Sequence, residues 1–187
     1  MTVHRFSVDQ YHRLGETGIL DEEDRVELLE GWIVSKMVRN PPHDLSLELL
    51  DAAIRPLVPP GWRVRTQMAI TTADSEPEPD LAIVEGAPRS RLPRHPGPQE
   101  TGFIAEVSDS SLARDRGTKA RLYARASIET YWIVNLIARQ IEVHASPSGD
   151  QPEPLYRSVR VYSEGEKVPL LLGGVLLGEI AVSDVLA

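Results

Sequence analysis

An α/β fold, a mixed β-sheet core flanked by helices with extra antiparallel hairpins, is the class this sequence predicts. Three observations predict it. The apolar runs PDLAIV, FIAEV and YWIVN have the length of buried strands. Between and before them, His43 to about Leu57 and Ser110 to about Ala126 carry helical spacing bounded by proline or serine. And RVELLEGWIVSKMV splits into two apolar halves at Glu30-Gly31, a pair that turns a hairpin.

In chain order, Ser7-Val8-Asp9-Gln10 has the form of a capping box and opens a short helix ending near Gly15–Gly18. Asp21–Asp24 is an acidic loop. The hairpin follows, with Glu27 on its first strand and Lys36 on its second; a helix over Asp24–Leu29 competes, because Val26, Leu29 and Ile33 also fit that period. Asn40-Pro41-Pro42 breaks the chain, and the helix from His43 to about Leu57 takes Asp44 or Ser46 as its cap and is stopped by Pro56, Pro59-Pro60 and Gly61. Trp62–Thr72 alternates as a half-buried strand, with Val64, Thr66, Met68 and Ile70 on one face and Arg63, Arg65 and Gln67 on the other. Ala73–Pro79 is a turn and Asp80–Val84 a short buried strand. Gly86–Gly102, with Pro88, Pro93, Pro96 and Pro98 beside Arg89, Arg91, Arg94 and His95, reads as a mobile surface loop, a lid or contact loop. Phe103–Val107 is a strand, and Ser110 or Ser111 starts the second main helix. Tyr131–Asn135 and Gln140–Ala145 form a hairpin. Ser146–Pro154 is a polar loop, Leu155–Tyr162 a strand, Val168–Leu177 a strand and turn, and Ile180–Leu186 a closing helical turn.

The chain has 187 residues, 41% hydrophobic and 26% charged, which suits one domain with a sizeable core. No apolar run approaches the roughly 20 residues of a membrane helix. MTVHRFSVDQ has no apolar signal core, so a cytoplasmic location is the expectation. Without cysteine, any metal must be held by oxygen or imidazole. The net charge of −8 argues against a protein that coats nucleic acid. Yet Gly86–Arg125 carries eight Lys/Arg against four acids, a local +4 able to meet a phosphate backbone. A solvated helix face and a basic loop are the plain reading of those arginines.

The chemistry concentrates in Gly102–Lys119. Glu106 lies inside an apolar strand, where a carboxylate is costly unless a cation pairs with it. If Asp80–Val84 lies beside Phe103–Val107, Asp80 and Glu106 converge at one end of the sheet. Two oxygen ligands without cysteine suit Mg²⁺ or Mn²⁺. Lys119, on the following helix, reaches back to the same pocket, or else forms an i,i+4 pair with Asp115. Tyr123, Tyr131 and Trp132 read as core, His95 and His144 as surface. No G-x-S-x-G elbow, P-loop or G-x-G-x-x-G is present.

PDLAIV, then FIAEVSDSSLARDRGTKARLYARASIETYWIVN, together with RVELLEG, resembles the Uma-two family of restriction-endonuclease-like proteins within the PD-(D/E)XK nuclease superfamily. The resemblance runs from Arg25 to the Gly-rich tail and implies a single restriction-endonuclease-like domain over residues 1–187. It implies a metal-dependent endonuclease that hydrolyses phosphodiester bonds in DNA. Asp80 and Glu106 are then the Mg²⁺ (or Mn²⁺) ligands, with the Val107 carbonyl as a third. The lysine that the superfamily usually places two residues after the acid is Ser108 here, and Lys119 supplies it from the helix. Glu27 and His43 match further family positions and complete the site, or are a hairpin acid and a helix-start histidine. Asn135 stands where an aspartate usually follows YWIV. The resemblance also implies a homodimer, the usual arrangement for cutting two strands. The second reading is a catalytically silent relative that binds nucleic acid or protein.

Overall fold

The computed structural model describes residues 3–21, 23–91 and 94–187. Glu22 of the acidic loop, Leu92 and Pro93 of the proline-rich loop, and Met1 and Thr2 lie outside the described residues.

The centre is a six-stranded mixed sheet of order β3-β4-β5-β6-β7-β8. Its strands are β3 (Trp62–Thr66), β4 (Leu81–Glu85), β5 (Thr101–Ser108), β6 (Thr130–Asn135), β7 (Gln140–Pro147) and β8 (Tyr156–Ser163). All neighbours are antiparallel except β5 and β6, which run parallel because a helical crossover joins them. The alternation in β4 and β5 shows why both faces are covered. Leu81, Ile83, Phe103, Ala105 and Val107 face one core, and Ala82, Val84 and Ile104 face the other.

Onto the first face pack the helix α2 (Pro41–Ile54) and a separate C-terminal hairpin of β9 (Lys167–Leu172) and β10 (Val175–Ala181), through Leu47, Leu50, Ile54, Val168, Leu170 and Ile180. A Cβ at Gly102 would lie 2.4 Å from Leu172 Cδ1, so glycine is what lets that hairpin approach β5. Onto the second face pack the crossover helix, through Leu122 and Tyr123, and the hairpin of β1 (Val26–Leu29) and β2 (Trp32–Ser35), through Leu29 and Val34. The helix α1 itself (Val8–Glu16) keeps the predicted capping box, Ser7 with Gln10.

The hairpin prevails over the competing helix because Glu30 (φ 49°) and Gly31 (φ 78°) supply the two left-handed positions of a tight turn. Four expectations are corrected. The cap of α2 is Asn40, which accepts from the His43 N–H at 3.0 Å, and Pro41 and Pro42 occupy the first helical turn, where their missing N–H groups cost nothing. β3 ends at Thr66, because Gln67 turns left-handed (φ 53°) and its N–H bonds the Pro79 and Asp80 carbonyls. β7 runs on to Pro147, past the expected start of the polar loop. His144 is buried on β7 among Tyr131 and Tyr156 rather than on the surface, because alternate residues of β7 face the crossover helix.

Candidate active site

The β4–β5 register, Leu81 opposite Ala105, carries Asp80 to the same sheet end as Glu106. There the strands stop short of α2 and the β1–β2 hairpin, leaving a polar cavity of about 320 Å³. Asp80, Glu106, Val107, Lys119, Glu27 and His43 all line it. The structure thus brings every candidate site residue named from the sequence to one place.

Each side chain is held. Asp80 Oδ2 accepts the Val107 N–H at 2.9 Å and His43 Nε2 at 3.2 Å. Glu106 Oε1 accepts Lys119 Nζ at 2.9 Å and the Tyr123 hydroxyl at 2.8 Å. Neither Asp80 Oδ1 nor Glu106 Oε2 takes part in these bonds. Glu27 accepts the Glu78 N–H at 3.2 Å and lies 3.9 Å from Lys119 Nζ and 3.7 Å from Arg114. Glu27, Glu106 and Lys119 are 3%, 3% and 6% exposed, so their charges act with little screening by water.

The electrostatics follow from that burial. Burial pushes the Asp80 carboxyl up, but the hydrogen bond and charge of His43, the charge of Lys119 and the Val107 N–H outweigh it and hold the group below the usual carboxylate range. His43 is the counterpart: burial disfavours its cation, yet Asp80 and Asp44 raise it above an ordinary histidine. Burial drives Glu106 well above the usual range against the pull of Lys119, and Asp80 and Asp115 add to the rise. Burial acts against the Lys119 ammonium, but Glu106, Glu27, Asp115 and Asp80 together hold it charged. Lys119 is therefore the fixed cation of the group, and Glu106 is the carboxylate left without full compensation.

Lys119 gets there by way of a π-helical turn. The crossover is one continuous run of helix: α3 (Leu112–Arg114), a π turn (Asp115–Lys119) and α4 (Ala120–Arg125). Such turns are frequent at functional sites. Asp115 does not pair with Lys119; its Oδ2 accepts the Ser108 and Ser111 hydroxyls, each at 2.6 Å, and its carbonyl accepts the Tyr131 hydroxyl at 3.2 Å. Ser108, in the place of the usual lysine, thus ties the helix that delivers Lys119 to β5.

Three partners escaped the sequence reading. Tyr123 is more than core, since its hydroxyl orients Glu106. Lys36 and Glu78 pair at 2.6 Å on the cavity wall. Tyr123 lies one helical turn past Lys119, and that i,i+4 spacing was the available signal. Asn135 bonds Glu142 at 2.9 Å and accepts the Ala138 N–H, away from the metal candidates.

The basic stretch is also corrected. Arg94 pairs with Glu100, Arg116 with Glu142, Arg121 with Glu30, and Arg125 with Glu30 and Asp74. These arginines are spent on the protein's own carboxylates rather than presented to a phosphate backbone.

Among the described residues, no helix is long and apolar enough to cross a membrane. The fold is similar to the crystal structure of a protein described as "a putative nuclease belonging to DUF820" from Anabaena variabilis ATCC 29413, at 16% identity and a TM-score of 0.69, over 96% of this chain and 97% of that one. No curated protein matches the sequence. Residues 8–177 match the family model Uma2, described as "Putative restriction endonuclease". With most of its length accounted for by that match and the fold agreeing, this chain belongs to the Uma2 restriction-endonuclease-like family.

Proposed function

We propose that this protein is a metal-dependent endonuclease that hydrolyses phosphodiester bonds in DNA. The observation that carries the reading is the convergence of Asp80, Glu106 and Lys119 on one polar cavity, with one oxygen of each carboxylate left out of the internal hydrogen bonds. The donor set fits a hard cation. Among the described residues no group of three or more His, Asp or Glu has metal-ligand spacing. A cation would be held by Asp80, Glu106 and the Val107 carbonyl, and water would complete its shell, which is how Mg²⁺ is usually bound. When bound, Mg²⁺ or Mn²⁺ supplies activation of water and offsets charge on the phosphate.

The chain's own groups do the rest. His43 and the Val107 N–H fix Asp80, and Tyr123 and Lys119 fix Glu106, so neither carboxylate must be ordered when a cation arrives. Lys119 keeps its proton and places a positive charge beside the carboxylates, where charge builds on a phosphate oxygen in the transition state. Glu27 shares that ammonium and the Arg114 guanidinium, holding both at the cavity wall.

The test is cleavage of plasmid DNA with Mg²⁺ or Mn²⁺ by the wild type, Asp80→Ala and Lys119→Ala. Wild-type cleavage that disappears in EDTA and in both variants is expected. Equal activity in the wild type and Asp80→Ala would remove the site. No cleavage by any of them, with DNA binding retained, would put the catalytically silent reading first.

A further inference from the structure

The cations of the Gly86–Arg125 stretch are largely tied up. Arg94, Arg114, Arg116, Lys119, Arg121 and Arg125 each have a carboxylate within 4 Å. A polyanion approaching the cavity must find its positive charge elsewhere. Two arginines outside that stretch fit the need. Arg25 and Arg39 are exposed and line the cavity that holds Asp80, Glu106 and Lys119. Among the described residues neither has a side-chain hydrogen bond or an ion pair.

Arg25 stands at the foot of the β1–β2 hairpin, and Arg39 lies in the link from β2 to α2, next to the cap residue Asn40. Arg25 precedes β1 and Arg39 follows β2, and the Lys36 N–H closes the base by bonding the Arg25 carbonyl at 2.9 Å. Arg25 is held in a left-handed conformation (φ 45°) that a non-glycine residue rarely adopts. Gln67, which also lines the cavity, is held likewise (φ 53°). Residues held in such sparsely populated conformations cluster at active sites and ligand clamps. Arg25 also lines two neighbouring depressions, and Arg39 shares one of them.

Asp44 and Glu48, on α2, line the depression that Arg25 and Arg39 share. Asp51, also there, is paired with Arg55, and Asp109 accepts from Asn40 at 2.7 Å. Within that depression Arg25 and Arg39 are the cations and Asp44, Glu48 and Asp51 the acids. We propose that Arg25 and Arg39 form a two-point clamp for the phosphodiester backbone of DNA at the mouth of the cavity. This rests on the endonuclease reading but needs no metal and no cleavage.

The clamp is tested by binding of a short labelled DNA duplex in EDTA, with Kd followed against salt concentration. The proteins are the wild type, Arg25→Asn, Arg39→Gln, the double variant, Arg25→Lys, and Arg157→Gln on the edge strand β8 as a control. Asparagine is chosen at 25 because it tolerates the left-handed region. Each lost phosphate contact lowers the slope of log K against log salt by about one. The single variants are expected to lose about one and the double variant about two, while Arg25→Lys and Arg157→Gln keep the wild-type slope. Thermal melting of each variant checks that it folds. Folded variants with an unchanged slope would overturn the clamp and leave the endonuclease reading standing. An equal loss in Arg157→Gln would overturn it as a general charge effect. No binding by the wild type would overturn the clamp, while cleavage with Mg²⁺ or Mn²⁺ still decides the endonuclease reading.

Discussion

Glu106 Oε1 accepts from Lys119 and Tyr123 at once, and that shared atom decides how the carboxylate is aimed. Burial pushes the Tyr123 phenol well above its ordinary value, so it stays a donor. Tyr123→Phe keeps the ring and its packing on Tyr131 but removes the hydroxyl. A hydrogen bond to a charged group contributes about 1.5–3 kcal/mol, and we expect urea unfolding to report a loss in that range. Loss of an orienting partner typically weakens a metal site about 10–100-fold, so Mn²⁺ affinity by calorimetry should fall by that much. Stability lost with Mn²⁺ affinity intact would reduce Tyr123 to a structural role. Ser108 makes the complementary case. Without a lysine there, β5 carries a hydroxyl short enough to reach Asp115, and that contact holds the helix from which Lys119 acts.

At the scale of elements, the crossover helix carries the site and a weakness together. Its π turn points Asp115 and Lys119 inward while Gly117 stays exposed, and a Cβ at Gly117 would meet nothing within 4 Å. Glycine inside a helix costs about 0.5–1 kcal/mol relative to alanine. Gly117→Ala is expected to stabilise the protein by about that amount, read as a higher Tm, with plasmid cleavage unchanged. A lower Tm would mean that the π turn draws on the freedom of glycine. The helix itself was legible from its spacing and from Ser110-Ser111, but the π turn was not. It arises from tertiary bonds of Asp115 to Ser108 and Tyr131, which no local period records. The same division recurs along the chain. Glu30-Gly31 names its own turn because the turn is local. The end of β3 at Gln67 is set by the Pro79 and Asp80 carbonyls of the neighbouring chain segment, so an unbroken alternation to Thr72 misread it. Asp80 and Glu106 could be paired from sequence because burying a carboxylate in an apolar strand demands a partner. His144 misled because an imidazole buried between two tyrosines looks, in sequence, like any surface histidine.

For the whole molecule, the ion pairs that occupy the basic stretch add to the packing that fastens the crossover helix to the rest. Arg121 and Arg125 clamp Glu30 at the tip of the β1–β2 hairpin, with Arg121 Nε at 2.8 Å, and Arg116 clamps Glu142 of β7 at 2.6 Å. The Arg121 hydrogen bond, against partial burial, lowers the Glu30 carboxyl below its usual range. Burial opposes the same effect at Glu142, but Arg116, Asn135 and Gln140 prevail and lower it too. A carboxyl lowered on folding contributes stability in full above its unfolded value, about 4.3 for glutamate, and loses it as pH falls through the lower folded value. The protein should therefore lose stability on acidification below about pH 4.3, and Glu30→Gln should flatten that fall while lowering stability at neutral pH. Urea titrations at a series of pH values check it, and a variant with the wild-type acid slope would show that the clamp contributes nothing. Glu106 works in the opposite sense. Its carboxyl is raised, so ionising it costs stability as pH climbs above the unfolded value. The hairpin and helix around the cavity are fastened by satisfied pairs, while burial leaves the charge of the carboxylate inside it only partly offset. If Glu106 is a metal ligand, Mn²⁺ should raise Tm more at pH 7 than at pH 5, because only the ionised carboxylate offers the cation both its charge and its free oxygen.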